Sequence, residues 1–388
     1  MNRAIGLIAG SVLGAAIVVA GTQSISATAK AGTARIYLTH IAMVNGSSGW
    51  GTTRDSVVQT GDGGKAWQTV FTVPKSGQGQ TDGQYFTFAS IGIRRAWAVA
   101  TSGRGVWTYR TDDGGAKWIP AFQYFAGSGQ SPFASQLVFS NRKDGWLLLH
   151  GGGAAGSVGN AIIRTVNGGK TWRRVEYQYI STSSPHSLPA CDDSAASISF
   201  VGSSVGWVTG ICGAAPQRKQ VFRSTDGGRT WRQAAVTNPV SHLEYFDPGQ
   251  VVVTGAQSEL LPVAVQTPNE FMLYRSATGG KSWVATNPIR LKGSLEPTFV
   301  YAPFSAATSW VLVGALGQAK NPNPELWRTT NGGVSWRVVS YRFRTVDLVE
   351  LDFVTTSKGF ALGTGYNIYI TNDGGKKWTK VVPNQVPS

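Results

Sequence analysis

Apolar and polar residues alternate in short runs along this chain, and each run stops at Gly, Ser, Asp or Asn. A two-residue period marks half-buried β-strands, and the spacing of an amphipathic helix is missing throughout. Ser197–Gly210 shows the plan: a strand, a short Gly/Ser turn, then a second strand carrying Trp207. The plan recurs at Ile41–Gly51 with Trp50, Phe88–Ala100 with Trp97, Leu137–Leu149 with Trp146, and Phe299–Gly314 with Trp310. Leu351–Gly363 carries Phe360 in the aromatic slot. In one copy the plan is degraded: Leu243–Phe246 and Gln250–Thr254 are read as its two strands, with no aromatic in the slot.

A third strand follows in every copy and leads into an eight-residue turn, written first-hand at Ser224–Trp231 as Ser-Thr-Asp-Gly-Gly-Arg-Thr-Trp. The other copies end at Trp67, Trp118, Trp172, Trp283, Trp336 and Trp378. Successive motif tryptophans are 51, 54, 59, 52, 53 and 42 residues apart. The third position is Asp62, Asp113, Asn167, Asp226, Asn331 and Asp373, with Thr278 the one departure. Asp-Gly or Asn-Gly between two strands signals a tight hairpin, because Gly takes positive φ and the Asp/Asn oxygen accepts nearby backbone N–H groups. The Trp covers the loop with an apolar plate. These residues are therefore read as structural. A fourth strand leaves from the Trp. Seven units of four antiparallel strands predict an all-β, seven-bladed β-propeller, with the motif turn between strands three and four of each blade.

Glycine (49) and tryptophan (14) are plentiful and charge is sparse, which suits such a fold and excludes coiled coil and disorder. The net charge of +15 favours an acidic protein surface, a membrane surface or an anionic polymer as partner. Arg3, the apolar run Ala4–Gly21 and Ala27-Thr28-Ala29 read as a leader over residues 1–29, either cleaved or kept as an anchor. Either way residues 33–386, the propeller, are expected outside the cytoplasm, and nucleic acid is not expected as a partner. Cys191 and Cys212 flank one hairpin, as a disulfide or as two unrelated thiols. The four histidines show no metal-ligand spacing, and no metal or cofactor is expected.

The Ser/Thr-x-Asp-x-Gly-x-Thr-Trp pattern resembles the Asp box, or BNR repeat, of sialidase-type propellers. Seven Gly-Gly copies in a chain with a leader look most like the photosystem II stability/assembly-factor-like family. That resemblance covers roughly residues 35–383 and implies a non-catalytic scaffold that assists membrane-protein assembly; a monomer is expected. It also implies that the boxes lie at the blade periphery, away from the central pocket.

Short first-to-second turns and the boxes should share one face of the ring. Longer segments, including Thr72–Gly83, Gly151–Asn160, Tyr177–Ser194 and Gly255–Asn269, should share the other, which is taken as the working face. Arg173, Arg174, Arg218, Lys219, Arg290, Lys292, Arg342 and Arg344 lie in or beside those segments, as a cationic patch or as dispersed solubilising charge. Arg110, Arg164, Arg223, Arg275 and Arg328 recur just before the turn, a repetition that points to packing against a neighbouring blade. The alternative reading is a carbohydrate-active hydrolase using the inner-strand carboxylates Glu244, Glu350 and Asp352, the last two on one strand face. The Phe/Tyr-Arg-Ile-Pro motif usual in sialidases is absent. Ring closure admits two arrangements: blade one owns all four strands, or Arg35–Leu38 add a strand to blade seven.

Overall fold

The computed structural model describes residues 34–74, 85–102, 105–125, 133–154, 157–178, 188, 197–212, 218–236, 246–265, 270–290, 298–314, 324–340 and 348–386. Among these residues there is no helix, and the strands form seven antiparallel sheets arranged as the blades of a propeller. Their first strands are His40–Met43, Tyr85–Ile91, Phe133–Phe139, Ser197–Val201, Phe246–Pro248 with Val252–Gly255, Thr298–Pro303 and Leu348–Phe353, and they surround the axis.

Each Gly-Gly turn satisfies itself. In blade one Thr60 Oγ1 donates to Asp62 Oδ1 at 2.9 Å and accepts the Gly64 N–H at 3.0 Å. Asp62 Oδ1 in turn accepts the N–H groups of Lys65 and Ala66. The Trp67 indole N–H donates back to the Gly64 carbonyl at 2.9 Å. Both glycines have positive φ, 78° and 87°, which other residues adopt only at a cost. The first Gly N–H reaches outside the turn, to Ser47 O in the short turn between strands one and two. Equivalent bonds join Gly168 to Lys143 O, Gly332 to Ala307 O and Gly374 to Ser357 O. The two kinds of turn thus lie together at one end of each blade.

The same end is joined from blade to blade. The second-strand Trp97 and Trp146 donate from Nε1 to Gly168 O at 2.9 Å and Gly227 O at 3.0 Å, each in the next blade. Trp310 does the same to Gly374 O. These indoles also stack on a first-strand Phe of the next blade: Trp97 on Phe139, Trp146 on Phe200 and Trp310 on Phe353, with ring centroids 3.6, 3.8 and 3.7 Å apart. The turn Trp of that next blade closes edge-on against the same Phe, as Trp172, Trp231 and Trp378. The arginine slot also crosses blades: Arg164 donates to Ser203 O, Arg223 to Gly279 O and Arg275 to Asn331 O. Arg328 lies over the Trp310 ring, while Arg110 pairs within its own blade with Asp112.

Three sequence expectations change. In blade five Leu243–Tyr245 lie outside the described residues, and the rest of the two expected strands, Phe246–Pro248 and Val252–Gly255, form one first strand broken at Gly249–Val251. The second strand is Ser258–Val265, inside the segment expected to be a long loop. Both faces of that strand are buried, so alternation is lost, and Pro262 reads as a breaker although its carbonyl accepts the Gly249 N–H. In blade three Gly151–Asn160 is not a loop. Strands Gly145–Ala154 and Ser157–Thr165 carry their pairing through the glycines with a register shift, since ladder bonds need no side chains. At the closure, blade one does own four strands, but Asn384–Val386 adds a fifth, parallel to the edge strand Ala66–Thr72. Arg35 bridges to Asn384, and Ile36 and Leu38 bury into the core between blades seven and one.

A Cβ on Gly169 (φ 82°) would lie 2.9 Å from the Trp97 indole of blade two, whereas one on Gly61 meets open space. Gly169→Ala is expected to cost about 2 kcal/mol or more in guanidinium denaturation, and Gly61→Ala less than about 0.5 kcal/mol. Equal effects would contradict the turn as a joint between blades.

Candidate functional site

The first strands of blades one to five and seven line a cavity of about 370 Å³ on the axis. Its polar groups come from inner strands, where alternation aims every second side chain at the axis or a neighbouring strand. Glu350 and Asp352, on one face of the first strand of blade seven, both turn to the first strand of blade one. Glu350 Oε2 accepts the Ile41 N–H at 3.0 Å and Asp352 Oδ2 accepts the Met43 N–H at 2.7 Å. Glu350 Oε1 lies 2.7 Å from His40 Nδ1. The unpaired edge of blade one is thereby satisfied by carboxylates. Gln136 makes the analogous link from blade three, accepting the Ile198 N–H at 2.6 Å, and Gln250 of blade five donates to Ile198 O at 2.8 Å.

Burial pushes the Asp352 carboxyl up to about 7, the Met43 N–H opposing it and the Glu350 charge adding to it. Burial also works against a charged His40, but Glu350 and then Asp352 outweigh it and hold the imidazole above 6.5. Two polar atoms of residues on the cavity wall, Ser199 Oγ and Gln250 Oε1, are fully buried and have no hydrogen-bond partner among the described residues. No group of three or more His, Cys, Asp or Glu among the described residues is placed to hold a metal ion.

Hydrolysis of a glycoside requires two carboxyls facing each other across the sugar. Glu350 and Asp352 instead project side by side toward one partner strand, with both oxygens of Glu350 engaged. Glu244 lies outside the described residues, as do Lys292, Arg342, Arg344 and Cys191. Arg218, Lys219 and Cys212 are in strands, but their side chains lie outside the description. Arg290 is at the long-loop end, where its Nε holds the buried Glu270 at 2.9 Å. Arg173 and Arg174 open the fourth strand of blade three, opposite Arg164 and Ile163, and so lie at the Gly-Gly-turn end. His40, Gln136 and Gln250 carried no signal in the sequence, because their roles depend on strands far apart in the chain.

No family model matches the chain. A curated xyloglucanase of Paenibacillus sp. is 24% identical over 366 residues, covering 87% of this chain and 32% of that protein. The chain therefore spans about a third of the length of this curated relative. Among solved structures, YCF48 bound to a D1 peptide is similar at 14% identity and a TM-score of 0.55, over 87% of this chain and 92% of that one. YCF48 from Cyanidioschyzon merolae is similar at 16% and 0.52, over 87% and 95%. The GH74 xyloglucanase from Xanthomonas campestris is similar at 13% and 0.57, over 90% of this chain and 54% of that one. At these identities the likeness establishes the propeller fold and not the activity.

The raised carboxyl has a stability consequence. Folded Asp352 keeps a proton that the unfolded chain releases above about pH 4, so stability falls as pH rises from there to about 7. His40 acts in the same direction: its contribution is full below 6.5 and is lost as pH rises through its folded value. Asp352→Asn retains an acceptor for Met43 but cannot titrate. Denaturation at a series of pH values should show a shallower decline for this variant than for the wild type, and identical slopes would contradict the assignment.

Proposed function

We propose that this chain is an exported, non-catalytic Asp-box propeller that binds a segment of an extracytoplasmic or membrane protein, in the manner of photosystem II assembly factors. The observation that carries this reading is the use of the axial carboxylates. Glu350 and Asp352 bind backbone N–H groups across the closure seam and do not oppose one another across a pocket. The cavity wall mixes apolar residues with polar ones such as Thr87, Gln136 and Ser199, a lining suited to peptide recognition. Similarity to YCF48, of which one structure holds a D1 peptide, supports a protein ligand. On this reading the long-loop face, with Arg290, Lys292, Arg342 and Arg344, attracts acidic peptide segments.

The second reading, a carbohydrate-active hydrolase, is favoured by one feature: a carboxyl at about 7 suits a general acid. The two readings part in one experiment. Acidic synthetic peptides are titrated by fluorescence anisotropy, and xyloglucan and related glucans are screened for hydrolysis with wild type, Glu244→Gln and Glu350→Gln. Peptide binding that weakens at least tenfold in Arg342→Glu/Arg344→Glu, with no glucan turnover, is expected. Turnover abolished by either carboxylate variant would replace the binding reading with the hydrolase.

A further inference from the structure

The Gly-Gly-turn end of the ring, opposite the long-loop face, is strongly cationic. Exposed Arg94, Arg142 and Lys143 stand in the short turns between strands one and two. Exposed Lys65, Lys117 and Lys170 follow the glycine pairs of blades one to three, and Arg229, Lys281, Lys376 and Lys377 follow those of blades four, five and seven. Every blade except the sixth supplies at least one. The carboxylates exposed at this end are fewer than the cations and are engaged within the fold. Asp62, Asp113, Asp226 and Asp373 accept backbone N–H groups within their own turns. Asp112 pairs with Arg95 and Arg110, and Asp144 with Arg164. At the opposite end Arg290 is held by Glu270 and Arg54 is next to Asp55 in the chain.

The cations form one surface. Bonds between neighbouring blades join these turn ends at Gly92, Gly168, Gly227, Gly279, Asn331 and Gly374. At the seam between blades seven and one Lys358 lies against the turn at Gly46. Crowding is visible there: burial and then the Lys65 charge hold Lys358 below its usual value. Aliphatic side chains stand among the charges. Val44 is 39% exposed, Val166 59% and Val334 48%, all three at tips of this same end, in blades one, three and six.

We propose that this end of the propeller docks on an anionic phospholipid bilayer. Cations spread over a whole broad face match a planar sheet of negative headgroups better than a single polymer chain. Exposed valines between them suit shallow insertion at the headgroup level, which a soluble polyanion would not reward. The long-loop face would then point away from the membrane. This inference does not rest on the peptide reading, since it concerns the opposite end and a different ligand.

The test uses the full chain and phosphatidylcholine vesicles with or without phosphatidylglycerol, in co-sedimentation. The variant Arg142→Glu/Lys143→Glu/Lys170→Glu changes only exposed side chains, because Lys143 serves its turn through its backbone carbonyl. Arg290→Glu/Arg342→Glu/Arg344→Glu is the charge-matched control. Any contribution from the apolar segment near the N-terminus is common to all three proteins. Circular dichroism melting confirms that each is folded, and Val166→Ser gives a variant without any charge change. Binding to the anionic vesicles should be at least tenfold tighter than to neutral ones and should fall as salt rises from about 0.1 M to about 0.5 M. The blade-three reversal should weaken it at least tenfold, Val166→Ser should weaken it measurably, and the control should change it less than twofold. Equal binding to neutral vesicles, insensitivity to the blade-three reversal, or equal loss in the control would overturn the proposal. Heparin binding as tight as vesicle binding and unaffected by Val166→Ser would also overturn it, in favour of a soluble polyanion.

Discussion

One hydroxyl oxygen in each blade holds this architecture. The Ser or Thr that opens every Gly-Gly turn accepts the N–H of the second glycine at 2.9 to 3.0 Å, in all seven copies. That bond fixes the positive φ of both glycines and leaves the first glycine with its N–H and carbonyl pointing out of the turn. The N–H goes to the short turn of the same blade and the carbonyl is free for a neighbour's Trp or Arg. One local geometry therefore serves as both hairpin and joint. The Asp or Asn is the less essential partner, because blade five keeps its turn with Thr278 in that place.

At three seams the joint between blades is aromatic: a second-strand Trp lies flat on the next blade's first-strand Phe, and the next turn's Trp meets that Phe edge-on, two arrangements that the ring quadrupoles favour. Irregularity concentrates where this sandwich lacks a member. Blade five has no such Phe, and the buried Trp207 Nε1 that faces it is unpartnered. Glu259 occupies the position opposite Ser276 where blades one, three, four and seven have Gly49, Gly145, Gly206 and Gly359 opposite their Ser or Thr. It is fully buried, and burial raises its carboxyl above the usual range. The closure seam adds polar bonds to its apolar cluster, with carboxylates of blade seven on the strand edge of blade one.

The blade count was legible because the turn repeats at a fixed period and only Gly-Gly tolerates its φ values. The pairing of Glu350 and Asp352 on one face followed from alternation alone. Their target did not, since Ile41 and Met43 lie 309 residues away from them. The parallel strand Asn384–Val386 was hidden for the same reason: three exposed or half-buried residues carry no pattern of their own. Ser258–Val265 was missed because a strand buried on both faces loses the two-residue period. The cationic face escaped notice because its lysines and arginines come one or two per repeat, and only ring closure gathers them.

Chemically, this is a ring whose polar groups are spent mainly on joining blades. The axial carboxylates, the turn aspartates and three of the recurrent arginines, Arg164, Arg223 and Arg275, have backbone or blade-crossing partners. The claim that successive blades are coupled through their aromatic joints is tested most directly by a double-mutant cycle on Trp146 and Phe200, whose rings are stacked across one seam. Trp146→Leu, Phe200→Leu and the double variant would be unfolded in guanidinium. A coupling energy of roughly 1 kcal/mol is expected for a stacked pair joining two blades. Additivity to within about 0.3 kcal/mol would contradict it and leave each blade as an independent sheet.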